Sequence, residues 1–123
     1  MSKQQILGLL NGLYKMLTEG DYDLITDTIM SLPKKVADPT VRALLSYGYI
    51  AVDRVLIILM DCFNLYKENV DKTLKDKELQ AVVKEAQKIA DKYNAEEQKY
   101  ALRILSAFID NLNFESKEEN ANA

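Results

Sequence analysis

The feature that most limits how this chain can fold is a nearly continuous apolar segment running from Pro39 to Tyr66, PTVRALLSYGYIAVDRVLIILMDCFNLY. Wound as one helix at about 100° per residue, it places Arg42, Ser46, Tyr49 and Asp53 in one narrow polar strip. Asn64 and Lys67 extend that strip, and Arg54 and Asp61 lie at its margin. More than half of the circumference is then apolar, which predicts a helix with neighbours on most sides. Such a helix over 39–66 would be about 42 Å long, whereas a compact chain of this size has a diameter of roughly 35 Å. Two outcomes follow: the helix bends near Gly48, or its overhang is covered by another chain. Leu45, Val52, Leu56, Leu59, Phe63 and Tyr66 are the candidate partner interface on this reading. Arg42, Tyr49, Asp53, Arg54 and Asp61 form a candidate structural polar network, because carboxylates beside so much aliphatic surface need partners.

The rest of the chain also reads as helix. Two prolines, four glycines and no sustained alternation of apolar and polar residues leave little that argues for a strand. Ser2 and Gln5 have the spacing of a capping box, after which Ile6, Leu9, Leu10, Leu13, Tyr14 and Leu17 repeat at helical intervals until Gly20. Asp21 is placed to cap a short second helix lined by Leu24, Ile25, Ile29 and Leu32, which Pro33 ends. Residues 34–37 read as a connector, and Asp38 followed by Pro39 as the start of the central helix. Leu79, Val82, Ala86, Ile89 and Tyr93 form a further helical seam, and Tyr100, Ala101, Ile104, Leu105, Phe108 and Leu112 the last one. Asn94 with Glu97 is a second capping-box candidate, and a helix continuous through Asn94 the competing reading. The predicted fold is all-α: a bundle of four to five helices around a long central apolar helix, with a single helical domain over 1–114. Residues 115–123, lacking any large apolar side chain, are expected to be a disordered acidic tail.

Composition narrows the chemistry. The absence of histidine removes the commonest general base and the usual ligand sets for zinc and di-iron sites, and Cys62 is the only cysteine. Cys62 lies on the apolar side with no base nearby, as expected of an inert thiol. Asp21, Asp23 and Asp27 gather where acids complement a helix start rather than hold a cation. We therefore expect no catalytic residues, no metal and no cofactor. Nineteen acidic against sixteen basic residues give a net charge of −3, which offers no bulk attraction to nucleic acid or to an anionic membrane. No run of 18 uncharged apolar residues occurs, and the start of the sequence has no charged leader with a cleavage site, so a cytoplasmic setting and no membrane span are expected.

A local basic strip, Lys77, Lys84, Lys88 and Lys92, is the candidate polyanion surface, since like charges one helical turn apart repel each other mildly. In size and helical content the chain is similar to the small helical subunits of CRISPR effector complexes, and equally to many small viral or plasmid-encoded helical proteins; no motif carries that similarity. The expected function is that of a non-enzymatic interaction or assembly protein, a homo-oligomer or a small subunit bound to a protein partner. The alternative is a nucleic-acid-associated accessory subunit using the lysine strip.

Overall fold

The computed structural model describes residues 1–122, without the side chains of residues 36 and 114–122. Among the described residues there are six helices and no strand: α1 (Lys3–Glu19), α2 (Asp23–Ser31), α3 (Lys34–Leu45), α4 (Val52–Asn69), α5 (Asp76–Ala90) and α6 (Ala95–Asn122). The tail predicted to be disordered, 115–123, falls where the side chains lie outside the described residues. The backbone assignment of α6 runs through it to Asn122.

The first hairpin forms as its sequence dictates. Ser2 Oγ accepts the Gln5 amide at 3.2 Å while Gln5 Oε1 accepts the Ser2 amide at 2.8 Å, which satisfies two donors at the start of α1 reciprocally. Gly20 ends the helix at φ +66°, its amide donating to the Met16 carbonyl at 3.2 Å. Asp21 then accepts the Asp23 amide at 3.0 Å and starts α2. The two helices pack closely because α1 presents Gly12 to α2. A methyl group added at Gly12 would sit 2.7 Å from Ile25 Cα, and one at Gly8 3.2 Å from Thr28 Cγ2.

The long central helix expected over 39–66 is not one helix but two, which raises the count from the predicted four or five to six. It breaks at residues 46–51, where Gly48 takes φ +56°. At 1.5 Å per residue α3 and α4 span about 18 and 27 Å, so neither overhangs a chain of this size. The break is supported from α6: the Tyr100 hydroxyl donates to the Leu44 carbonyl at 2.6 Å and Arg103 Nη1 to the Ser46 carbonyl at 3.2 Å. These bonds satisfy carbonyls that the end of α3 leaves without helical donors. The start of the segment is corrected too. The expected connector 34–37 is the first turn of α3, Pro33 precedes it at φ −63°, and Asp38 and Pro39 lie inside the helix. Pro39 is tolerated this near the start at the loss of one amide bond, the one that would reach Lys35.

Helix α4 lies against α1, α5 and α6, and α6 against α3, α4 and α5. Their shared core consists of Ile6, Leu9 and Leu13 from α1, Val55, Ile58, Cys62 and Tyr66 from α4, and Tyr100, Ile104 and Phe108 from α6, all fully buried. The Tyr66 and Phe108 rings meet at 5.2 Å. One polar pair is buried with them: Asn111 Nδ2 donates to Thr40 Oγ1 at 3.4 Å, and Asn111 Oδ1 accepts from the Met1 amine at 2.6 Å. Among the described residues no helix is long and apolar enough to cross a membrane.

Candidate functional site

Splitting the central segment redistributes its apolar surplus. Leu59, Phe63 and Tyr66, predicted to meet a partner, are buried in the chain's own core, because the turn at 46–51 lets α6 reach that side of α4. Leu56 is half-buried against the core. Leu45 and Val52, at the two edges of the turn, stay 41% and 39% exposed, and Tyr49 between them is fully exposed. The outward face of α4 continues the surface with Ile57 at 47% and Met60 at 54%. Val52, Leu56 and Met60 follow one another at four-residue intervals, and Ile57 lies between, so these side chains share one side of the helix.

The turn itself walls a cleft of about 460 Å³ lined by Tyr47, Tyr49, Arg54, Glu96, Glu97 and Arg103, among others. Tyr47 is held edge-on to Tyr100 with ring centres 6.4 Å apart. The charges at the cleft are engaged in the fold. Arg54 donates through Nε and Nη2 to the two carboxylate oxygens of Glu97 at 3.0 and 2.8 Å, a bidentate pair. That hydrogen bond and the opposite charge behind it hold Arg54 above and Glu97 below their ordinary pKa values. Glu97 thus faces α4 instead of closing the predicted capping box with Asn94. Glu96 pairs with Lys99 at 3.1 Å.

Of the predicted polar network, Arg54 and Asp61 have cross-helix partners, and Arg42, Tyr49 and Asp53 are exposed. Asp61 accepts a hydrogen bond from the Tyr93 hydroxyl and lies 3.8 Å from Lys92 Nζ. Arg54 stands 6.0 Å above the Tyr93 ring. Burial, reinforced by the bond to Asp61, raises the Tyr93 hydroxyl pKa, so Tyr93 remains a neutral donor. Sequence reading missed Tyr93 and Glu97 as partners of α4. A tyrosine in an apolar seam, with a hydroxyl to satisfy, was the available signal.

The lysines of the candidate polyanion strip are all exposed. Lys88 lies 3.3 Å from Glu85, and Lys92 turns back to Asp61, so the strip is interleaved with acid. Cys62 is buried, and desolvation, with Asp61 next to it, pushes its thiol up to about 12, which removes the thiolate that nucleophilic chemistry would require. Among the described residues no group of three or more Cys, Asp or Glu side chains is arranged to hold a metal ion. Comparison with protein-family models, with curated proteins and with solved structures finds no match.

Proposed function

We propose that this chain is a non-enzymatic interaction protein of the cytoplasm, binding another protein or a second copy of itself through the turn 46–51 and the outward face of α4. The observation that carries this reading is Tyr49, fully exposed at the tip of the turn and flanked by the exposed apolar side chains Leu45, Val52, Ile57 and Met60. Tyrosine and methionine are enriched at protein interfaces, and a central aromatic anchor ringed by apolar contacts is the usual energetic core of one. A specific interface of ordinary size needs about 800 Å² per partner, so the partner extends beyond these five residues. Arg54 and Glu97 beside the turn satisfy each other, and Arg103 is bonded to the Ser46 carbonyl within it.

The test pairs Tyr49→Ser with Ile57→Glu and follows solution mass by light scattering and partner recovery by affinity capture. Because both side chains are exposed, stability should change by no more than about 0.5 kcal/mol, which separates lost binding from lost fold. Wild-type association that disappears in the double variant supports the reading. A wild-type chain that is monomeric at all concentrations and captures no protein overturns it. A polyanion partner along α5 is the second reading, favoured by Lys77, Lys84 and Lys88 sharing an exposed strip. Heparin retention lost in Lys84→Glu with Lys88→Glu would place it first.

A further inference from the structure

The junction between α5 and α6 is unusual in what it lacks. Residues 91–94 interrupt the helices without a glycine or a proline anywhere between Asp76 and Leu112. Ala95, the first residue of α6, takes φ +49° and is the one non-glycine residue at positive φ among those described. That conformation costs an L residue about 1–2 kcal/mol relative to a right-handed one.

The apolar pattern, moreover, passes through the break without losing phase. Val82, Ala86, Ile89, Tyr93, Tyr100, Ile104 and Phe108 succeed one another so that, at about 100° per residue, a straight helix would carry them all within an arc of about 100°. Glu97 is the single polar residue on that arc. The bend is held instead by side chains, most of them reaching to α4 and one bridging the corner. Asp61 binds Tyr93 and Lys92, Arg54 binds Glu97, and Gln98 Nε2 donates to the Ala90 carbonyl across the corner at 3.3 Å.

We propose that α5 and α6 can join into one continuous helix and that this chain exchanges α6 with a second copy of itself. In the exchanged dimer the partner's α6 occupies the place between α3, α4 and α5 that the chain's own α6 fills in the monomer, so every core contact is remade and only the hinge differs. Straightening relieves the left-handed Ala95 and restores i→i−4 hydrogen bonds from Lys92 onward, where the Lys92 and Tyr93 amides now reach only to Ile89 and Ala90. It gives up the contacts of Tyr93, Lys92 and Glu97 with their own α4, which the partner's α4 can remake only for residues on the α6 side of the hinge. Asp61 and Arg54 thereby set the balance between closed monomer and exchanged dimer. The inference uses none of the exposed residues of the turn 46–51, and variants there leave it unaffected.

The experiment refolds the full chain at high concentration and measures mass by light scattering, alongside Ala95→Gly and Asp61→Asn. Glycine favours the closed hinge twice over, since it takes positive φ freely and weakens the middle of a straight helix. With two hinges per dimer, Ala95→Gly should lower the dimer association constant by at least about a hundredfold. Asp61→Asn, which loosens the latch, should raise it. Exchange is distinguished from face-to-face pairing by spin labels at the exposed positions Lys84 and Ser106, which a straight helix sets about 33 Å apart within one chain. A chain that stays monomeric throughout, a dimer that lacks this distance, or a dimer indifferent to Ala95→Gly overturns the proposal.

Discussion

The α1–α2 and α5–α6 hairpins solve one problem in opposite ways. Both fold a helix back on its neighbour through a left-handed residue, Gly20 in the first and Ala95 in the second. The first hairpin is written locally: capping groups at Ser2 and Asp21, a glycine that takes positive φ without strain, and Gly8 and Gly12 where the helices approach. The second has no glycine, and its corner is kept mainly by side chains of a third helix, Arg54 and Asp61 on α4, with one bond from Gln98 across it. A local device holds its shape whatever the rest of the molecule does. A corner held from α4 is only as closed as those contacts are intact.

The largest expected effect is therefore at Gly12. An alanine there must push the backbone of α2 away, since its methyl group would lie 2.7 Å from Ile25 Cα and no flexible side chain can yield instead. Gly12→Ala should cost about 2–3 kcal/mol in urea unfolding, in the range of overpacked cores. No cost beyond a few tenths would mean that the helices can separate freely and that glycine is not what pairs them. The counterpart in the second hairpin is Tyr93→Phe, which keeps the buried ring and removes only the bond to Asp61. Its expected cost is about 1.5–2 kcal/mol, the lower part of the range for a hydrogen bond to a charged acceptor, because Asp61 is partly exposed. A neutral outcome would show that ring burial alone keeps the corner.

The same contrast explains which parts of the fold could be read from the sequence. Ser2, Gln5, Gly20 and Asp21 act on residues two to four positions away, so their roles follow from spacing alone. The apolar periodicity of α4, α5 and α6 was legible for the same reason. The break at 46–51 was legible only as an alternative, because an isolated glycine costs a helix about 1 kcal/mol and neighbours decide whether it is tolerated. What decides it is Tyr100 and Arg103, more than fifty residues away, which bond the carbonyls that the broken helix frees. Without that information the pattern of α4 alone points Leu59, Phe63 and Tyr66 toward a partner, whereas α6 covers them. The residues that stay exposed, Tyr49, Ile57 and Met60, could be told from the buried ones only once the direction of approach of α6 was known.

A smaller pair of effects tests whether the two left-handed residues are equivalent in the monomer. Gly20→Ala should destabilise the chain by about 1 kcal/mol and Ala95→Gly should stabilise it by a similar or smaller amount, reduced by the greater freedom glycine has when unfolded. No atom stands within 4 Å of where a Gly20 side chain would begin, so the first effect is purely conformational. Opposite signs for these two substitutions in thermal unfolding would confirm that one corner is conformationally relaxed and the other strained. Equal signs would remove the contrast.

One of the supports from α4, the Arg54–Glu97 pair, is open to a test by pH. The Arg54 guanidinium holds the Glu97 carboxyl below its ordinary value of 4.5, and the unfolded chain lacks that partner. Because the folded pKa is the lower one, the stabilisation is complete above the unfolded value and is lost as pH falls through the folded value. Arg54, whose own value is raised, stays charged over this whole range. Glu97→Gln should therefore melt below wild type at pH 7, and the two curves should converge as pH falls below the ordinary carboxyl value of 4.5. Both side chains are partly exposed, so the difference should be small and should shrink in 1 M salt. If the two melting temperatures remain a fixed distance apart across the acid range, the Arg54 pair is not a pH-dependent part of the corner.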